Sequence, residues 1–323
     1  MFHRGKTGRA LPVLAALACL AGCSANGATP GLRSVGSAVL APAAPNAQHY
    51  GNDWMFATNP GSNQATVYRR KGTQLTYEKT LSTRLSTPQG TFTTPSRFGW
   101  WYVTNPGAAN VLIYRTSPKG PSGPIGKPLD ASGESPINVA VLPNRNLVAV
   151  SNLTSGISGA GNVSVYLDRA TEPSRTLTYG TQVNTGAGIA IDPHGNCYWS
   201  FNTPGTPSSA GSIVEFAQCQ GSGTVVVSGL KTAGGLVVDR TGNLYYIDEA
   251  SGVYKCQGTS NCTLLPAVFG LPVTLNFDSN DKNLWVADAT GYLDAVNPQT
   301  GEIESQNVSV NGDPFGIAPS PGN

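Results

Sequence analysis

Six polar residues recur at nearly regular spacing, and each ends a short run of apolar or aromatic residues. They close the phrases WMFATN, WYVTN, LVAVSN, CYWSFN, LYYID and LWVAD and are Asn59, Asn105, Asn152, Asn202, Asp248 and Asp288. Their separations are 46, 47, 50, 46 and 40 residues. Amide and carboxylate oxygens are the ligands that Ca²⁺ prefers, in sets of six to eight. If the fold brings these residues into a ring on one face, they could hold a cation or a polar ligand there.

The same side chains also have a structural use. Asn and Asp at the end of a strand bond nearby backbone N–H groups and so close turns. A requirement of the fold repeats with the fold, whereas a catalytic requirement rarely occurs six times. The sixfold pattern therefore favours turn capping, and a ligand ring stays open as the second interpretation.

Histidine offers this chain little acid–base chemistry. The three His are His3 near the start, His49 ahead of the repeats and His194 in a predicted turn on the face opposite the six polar residues. A Ser-His-Asp triad or a His general base needs a His beside the reacting group. The sequence therefore favours binding over catalysis.

The spacing also indicates which elements position the six residues. Each repeat contains several short β-forming runs, and a repeat of this length with four strands is typical of a β-propeller blade. Tight turns are predicted at Asp-Pro-His-Gly-Asn and Asp-Arg-Thr-Gly-Asn, because Gly and Asn tolerate positive φ. Inner strands are predicted over 137–142, 188–192, 235–239 and 273–278, and third strands over 65–70, 110–115, 162–167, 212–217, 252–255 and 291–296.

The two ends of the repeat region complement each other. The first repeat begins near residue 52 without an inner strand, and 313–318 has the pattern of an inner strand without partners. We expect this last strand to complete the first blade, which closes the ring and protects sheet edges. The predicted fold is all-β, a six-bladed β-propeller of four-stranded antiparallel blades that forms one domain over residues 51–320.

The phrases GIAIDPHGN, GLVVDRTGN, LYYID and LWVAD resemble the NHL-repeat and SMP-30-like group of six-bladed propellers. The resemblance covers roughly residues 52–318, and a propeller fold does not imply one activity. SMP-30-like lactonases hold one divalent metal through a Glu, Asn residues of inner strands and an Asp that ends a second strand. The resemblance implies Asp288 for the Asp, with Asn138 and Glu134 as the other candidate ligands.

One departure weakens this metal assignment. The lactonases have Asn-Gly at the start of the inner strand before this Asp, where the present chain has Val273 and Thr274. The favoured function is a binding or interaction module for a protein, a glycan or a small ligand on its top face, with no required cofactor. The alternative is an SMP-30-like hydrolase or lactonase that uses Ca²⁺ or another divalent metal.

The N-terminal region has the pattern of an exported lipoprotein. A basic start, an apolar stretch of about ten residues and the sequence Leu-Ala-Gly-Cys follow one another, and the stretch is too short to span a bilayer. This end resembles a bacterial lipobox, which implies a signal peptide over 1–22 and a lipid on Cys23. We expect a flexible tether over 23–50. The expected location is the bacterial membrane, facing the periplasm from an outer membrane if there is one and the cell surface otherwise.

Cysteine usage agrees with export. Cys197, Cys219, Cys256 and Cys262 lie in the repeat region, an even number that suits an oxidising compartment. Four cysteines allow three pairings, and local hairpins favour Cys197–Cys219 with Cys256–Cys262. The absence of a Cys-x-x-Cys motif argues against a zinc site.

Charge argues against nucleic acid as a partner. The chain has 20 Lys and Arg against 18 Asp and Glu, and three of its cations lie in the predicted signal peptide. No basic block follows it that could neutralise phosphates. We expect a monomer whose partners are the membrane, through the lipid, and an envelope protein or glycan.

Overall fold

The computed structural model describes residues 53–94, 99–131, 134–154, 159–180, 183–204, 210–278 and 281–320. In these residues twenty-four β-strands form six four-stranded sheets, which confirms the predicted all-β, six-bladed propeller. The predicted signal peptide and tether lie outside the described residues. The described ranges contain no helix long and apolar enough to cross a membrane.

Each blade is an antiparallel meander whose strands follow one another outward from the ring axis. Blade 1 contains the C-terminal β24 (Gly316–Pro319) with β1 (Trp54–Asn59), β2 (Gln64–Lys71) and β3 (Gln74–Leu81). Blade 2 contains β4 (Thr91–Thr93), β5 (Trp100–Asn105), β6 (Asn110–Arg115) and β7 (Leu129–Asp130). Blade 3 contains β8 (Pro136–Leu142), β9 (Leu147–Asn152), β10 (Asn162–Tyr166) and β11 (Arg175–Leu177). Blade 4 contains β12 (Thr185–Ile191), β13 (Cys197–Asn202), β14 (Gly211–Phe216) and β15 (Thr224–Leu230). Blade 5 contains β16 (Ala233–Val238), β17 (Leu244–Asp248), β18 (Gly252–Gln257) and β19 (Ser260–Leu264). Blade 6 contains β20 (Pro272–Phe277), β21 (Leu284–Asp288), β22 (Tyr292–Val296) and β23 (Ile303–Val308).

The C-terminal strand closes the ring as predicted. β24 pairs antiparallel with β1, with Phe56 opposite Ala318 and Met55 opposite Pro319. Beyond the strand, the Trp54 backbone N–H donates to Ser320 Oγ at 2.8 Å. The first blade is therefore built from both ends of the repeat region, and its inner edge is paired.

The core lies between neighbouring blades. The second strands are buried on both sides and carry the large aromatic side chains, so that Phe56 of blade 1 stacks on Trp101 of blade 2 at 4.4 Å between ring centroids. Trp199 and Trp285 occupy similar buried positions in blades 4 and 6. The apolar runs that mark the repeat in the sequence are thus the contacts that hold one blade against the next.

The predicted turns between first and second strands are present. In blade 4 the Asp192 carboxylate accepts the backbone N–H of Asn196 at 2.8 Å and its side-chain amide at 2.9 Å. Asp239 holds Asn243 in the same way in blade 5. We call the face with these turns the bottom face, and the face where the second strands end the top face.

Two glycines bring inner strands into direct contact in the upper half of the channel. A Cβ on Gly90 would lie 2.4 Å from the Ile137 carbonyl oxygen, and one on Gly188 would lie 2.8 Å from Gly235 Cα. The Gly90 N–H uses this approach to donate to Ile137 O at 2.7 Å. A larger side chain has no room at these positions, so neighbouring inner strands stay in close contact there.

Candidate functional site

The six repeated polar residues lie where the sequence predicts them, at the top ends of the second strands. Five are buried and one is half-buried. By strand they are Asn59 on β1, Asn105 on β5, Asn152 on β9, Asn202 on β13, Asp248 on β17 and Asp288 on β21. Their hydrogen bonds show whether these side chains cap turns or are free to bind a ligand.

Both aspartates of this ring are occupied by the backbone of their own blade. The Asp288 carboxylate accepts the N–H of Gly270 at 2.6 Å, of Leu271 at 2.9 Å and of Thr290 at 2.9 Å, and also the Thr290 hydroxyl at 2.6 Å. Asp248 accepts the N–H groups of the two residues that precede β16. These carboxylates fix the segment that leads into the inner strand.

Two of the asparagines form similar links, whereas the Asn152 amide donates to the side chains of Asn162 and Ser164 in its own blade. Asn105 accepts the Ser86 N–H at 2.5 Å and donates to Arg84 O at 3.0 Å, just before β4. Asn202 instead accepts the N–H of Ala233, the first residue of the next blade's inner strand, at 2.9 Å. The hydrogen bonds support capping, and a ligand ring at these residues stays a prediction.

The candidate metal ligands come from two blades. Glu134 and Asn138 belong to blade 3, whereas Asp288 belongs to blade 6 on the opposite side of the ring. Glu134 accepts the Asn162 side-chain amide at 3.0 Å, and the Asp288 carboxylate is capped as described. In the described part of the chain no three His, Cys, Asp or Glu side chains are grouped to hold a metal. A Ca²⁺ site needs several converging oxygens, and the site at Asp288, Asn138 and Glu134 stays a prediction.

Both predicted disulfides are present. Cys197 at the start of β13 is bonded to Cys219 after β14, and Cys256 on β18 is bonded to Cys262 on β19. Each bond therefore ties two sequence-adjacent strands of one blade. The pairing follows from the strand order, since neighbouring antiparallel strands bring these residues opposite each other.

A cavity of about 190 Å³ occupies the channel. Residues of all six inner strands form its walls, and most are apolar. The apolar walls are Phe92, Val139, Val141, Ile189, Ile191, Leu236, Val238, Leu275, Phe277 and Ile317. Sequence reasoning missed this space, because channel-facing and core-facing residues of an inner strand have the same apolar character.

Two amide side chains line the cavity among these apolar groups. Asn276 is only 8 % exposed, and Asn138 on the opposite blade is half-buried. Neither side chain has a hydrogen-bond partner among the described residues. Buried amides are nearly always hydrogen-bonded in folded proteins, so an unpaired one that faces a cavity marks a position for a ligand or water.

The bottom rim of the cavity is charged. The Arg240 N–H donates to Asp281 Oδ2 at 2.8 Å, and the Arg240 Nε lies 4.0 Å from the same oxygen. Burial raises the pKa of Asp281, and the neighbouring carboxylates of Asp239 and Asp278 add to this effect. The same rim residues border a second cleft of about 500 Å³ that includes Lys255. The site thus combines apolar walls, two amides and a charged rim.

No protein-family model matches this chain, and no curated protein matches it in sequence. Solved structures do match in fold. A functionally unknown protein from Desulfotomaculum acetoxidans is 12 % identical with a TM-score of 0.55, over 84 % of this chain and 100 % of its own. The calcium-binding protein regucalcin from Agrobacterium tumefaciens is 10 % identical with a TM-score of 0.53, over 72 % and 77 %. A proposed gluconolactonase is 12 % identical with a TM-score of 0.52, over 71 % and 80 %.

These likenesses show the propeller fold. The structural neighbours include members of the gluconolactonase and regucalcin group, to which the GIAIDPHGN-type phrases also bear a resemblance. At such low identity the fold alone is shared, and function has to be argued from the residues of this chain.

Proposed function

We propose that this protein is an exported binding module that takes a small, mainly apolar ligand into the lower half of its central channel. The observation that carries the proposal is the nearly buried Asn276 amide, which faces an apolar cavity without a partner among the described residues. A ligand that bonds this amide and fills the apolar space gains a hydrogen bond and buries apolar surface.

The cavity also limits the ligand. Its volume of about 190 Å³ lies below the roughly 300–1,000 Å³ of pockets for drug-sized molecules. A single ring with one carbonyl or amide group suits the walls and the Asn276 side chain. A polar substituent on the ring would reach Arg240 and Asp281 at the rim.

The proposal is tested with benzamide and benzoate as probes on the purified protein, by calorimetry and by melting temperature. We expect one probe molecule bound per chain and a raised melting temperature, because a ligand of the native state stabilises it. Asn276→Leu, which keeps the number and branching of the side-chain heavy atoms and removes the amide, should weaken binding about tenfold. Val238→Phe should abolish binding by filling the cavity, while Val308→Phe on the exposed edge of blade 6 should leave binding unchanged. Equal affinities in all four proteins would refute the proposal.

The lactonase alternative draws its support from the names of two structural neighbours, one calcium-binding and one a proposed gluconolactonase. It requires Asp288 to leave its backbone partners and bind a divalent metal. Titration with Ca²⁺, Mg²⁺, Mn²⁺ and Zn²⁺ after EDTA treatment, followed by melting temperature and lactone hydrolysis, separates the two functions. A specific rise with one metal, together with hydrolysis lost in Asp288→Ala, would establish the lactonase instead.

In this proposal the lipid on Cys23 holds the propeller at the membrane. Its support is the lipobox-like Leu-Ala-Gly-Cys sequence after an apolar stretch. A Cys23→Ser chain should move from the membrane fraction to the soluble fraction of the cell. Mass spectrometry of the N-terminal peptide should show the acyl chains in the wild-type protein.

A further inference from the structure

Four exposed positive charges lie on the bottom face, under blades 1 and 2. We call this surface the basic edge, and it is formed by Arg69 and Lys71 at the end of β2, Arg115 at the end of β6 and Lys119 in the following loop. Among the described residues at this end of the two blades, the carboxylates are Asp53 and Glu78. Glu78 lies 3.3 Å from Arg69 Nε, and Asp53 lies 3.8 Å from the buried Arg70. Lys71, Arg115 and Lys119 have no acidic partner among the described residues.

Contacts between the two blades hold the basic edge as one rigid surface. The Arg69 guanidinium lies 4.3 Å above the centre of the Trp54 ring. Trp54 Nε1 in turn donates to the Ser117 carbonyl oxygen of blade 2 at 2.9 Å. A tight turn, closed by Gly120 N–H to Ser117 O at 2.9 Å, places Lys119 at its tip. The backbone that carries these charges therefore needs little ordering when it meets a partner.

An exposed aromatic residue borders these charges. Trp100 at the start of β5 is paired with Arg115 on β6 and is 41 % exposed. Tryptophan is enriched where proteins meet the interfacial region of a membrane, because its ring is apolar and its N–H is polar. Trp100 beside basic side chains thus has the composition of a surface that contacts lipid headgroups.

Asp53, the first described residue, lies at the bottom of blade 1, where its carbonyl oxygen accepts the Arg70 N–H at 2.6 Å. The bottom loops of other blades differ, since they carry exposed acids such as Asp168, Glu302 and Glu304. The basic edge thus lies at the same end of blade 1 as Asp53, from which the chain leads back in sequence toward Cys23.

We propose that the basic edge docks on an anionic lipid surface, the same surface that the N-terminal lipid enters. Each Lys or Arg held close to such a surface strengthens binding about fivefold, and salt screens this effect. The docked surface fixes the orientation of the propeller relative to the membrane, which a long tether alone would not do. The inference does not depend on the ligand of the channel cavity.

The test uses the full chain with Cys23→Ser, so that lipid attachment does not mask the protein surface. It is mixed with vesicles of phosphatidylcholine, alone or with phosphatidylglycerol, and separated by flotation. We expect binding to the vesicles that contain phosphatidylglycerol, weak binding to pure phosphatidylcholine, and release at high salt. The charge reversal Lys71→Glu, Arg115→Glu and Lys119→Glu should lower binding at least about tenfold.

A matched control reverses three exposed charges elsewhere: Arg169→Glu, Lys231→Glu and Lys282→Glu. It has the same net charge, and it should keep most of the binding. Equal loss in both triple variants would show a net-charge effect and overturn the proposal, as would equal binding to both kinds of vesicle. If melting curves show that the first variant is unfolded, Lys71→Gln with Lys119→Gln replaces it, with an expected loss of about tenfold or more.

Discussion

Arg70 on β2 and Asp278 after β20 form a buried ion pair across the seam between the first and the last blade. Arg70 Nη1 lies 3.5 Å from Asp278 Oδ2, and the side chains are 7 % and 6 % exposed. Arg70 Nη2 also donates to the Ser320 carbonyl oxygen at 3.2 Å. One side chain thus joins the third strand of blade 1, the end of the C-terminal strand and the turn of blade 6.

Removing this guanidinium should destabilise the ring. Arg70→Met leaves a buried Asp278 without its cation, and breaking a buried pair costs roughly 3–5 kcal/mol. Urea unfolding followed by circular dichroism measures the change. The neighbouring Arg69 provides the control, because its pair with Glu78 is exposed and Arg69→Met should cost less than about 1 kcal/mol. Similar losses of stability in both variants would show that burial does not determine how much an ion pair contributes to the stability of this protein.

The features that the sequence predicted are the ones that the fold repeats. The second strands, the Asp-to-Asn turns and the strand that closes the ring each follow from a pattern that recurs in several blades. β24 could be assigned to blade 1 because the first repeat has no inner strand of its own, and the C-terminal strand has no second strand after it to pair with. The disulfides followed from the same strand order.

The features that the sequence did not predict do not repeat from blade to blade. Arg70 has no counterpart that would mark it as buried, and its partner Asp278 resembles the other turn aspartates. Asn276 sits in an inner strand whose pattern matches that of any buried strand. The basic edge combines residues from blades 1 and 2 that are far apart in sequence, so that only the three-dimensional arrangement shows their proximity.

A buried carboxyl group in blade 6 should make stability depend on pH. Asp294 on β22 is fully buried, and neither of its oxygens has a hydrogen-bond partner among the described residues. Burial, with a smaller effect of Asp288, raises the pKa of Asp294 to about 7, and Gln306 on the facing strand offsets only part of this. The native protein therefore keeps a proton that the unfolded chain releases above about pH 4. Stability falls as the pH rises from about 4 to about 7.

Asp294→Asn removes this titration. The free energy of unfolding of the variant should match the wild type near pH 4 and exceed it by about 4 kcal/mol near pH 8, measured by urea unfolding at both values. Glu249, whose pKa burial raises to about 7, titrates in both proteins, so that the difference isolates Asp294. An equal difference at the two pH values would contradict the assignment.

The two disulfides should differ in their contribution to stability. Cys197–Cys219 spans 22 residues of sequence and Cys256–Cys262 spans 6. On the chain-entropy account the longer loop contributes about 3 kcal/mol and the shorter about 2 kcal/mol. Cys197→Ala with Cys219→Ala should thus lower the free energy of unfolding more than Cys256→Ala with Cys262→Ala. A larger effect of the short loop would exclude loop closure as the main cause.

Reduction should also distinguish the two bonds. Cys197 and Cys219 are both buried, whereas Cys262 on the edge strand β19 is half-buried. Thiolate attack requires access to a sulfur atom. In the native protein a mild reductant should therefore open Cys256–Cys262 first, as seen by alkylation and mass spectrometry over time.

Variants of Asp288 distinguish a residue that caps the turn before the inner strand from a residue that binds a metal. Its carboxylate accepts three backbone N–H groups and one hydroxyl, so that Asp288→Ala removes four hydrogen bonds and should cost roughly 2–4 kcal/mol. Asp288→Asn, which keeps one acceptor oxygen, should cost about half as much. Asp248→Ala in blade 5 is the matched control, since Asp248 makes the same kind of backbone contacts and should show a similar loss.

All three variants are compared with the wild type by urea unfolding with EDTA and with added Ca²⁺. Capping predicts losses that do not depend on the cation; a loss at Asp288 seen only with Ca²⁺ present would assign this residue to a metal site instead.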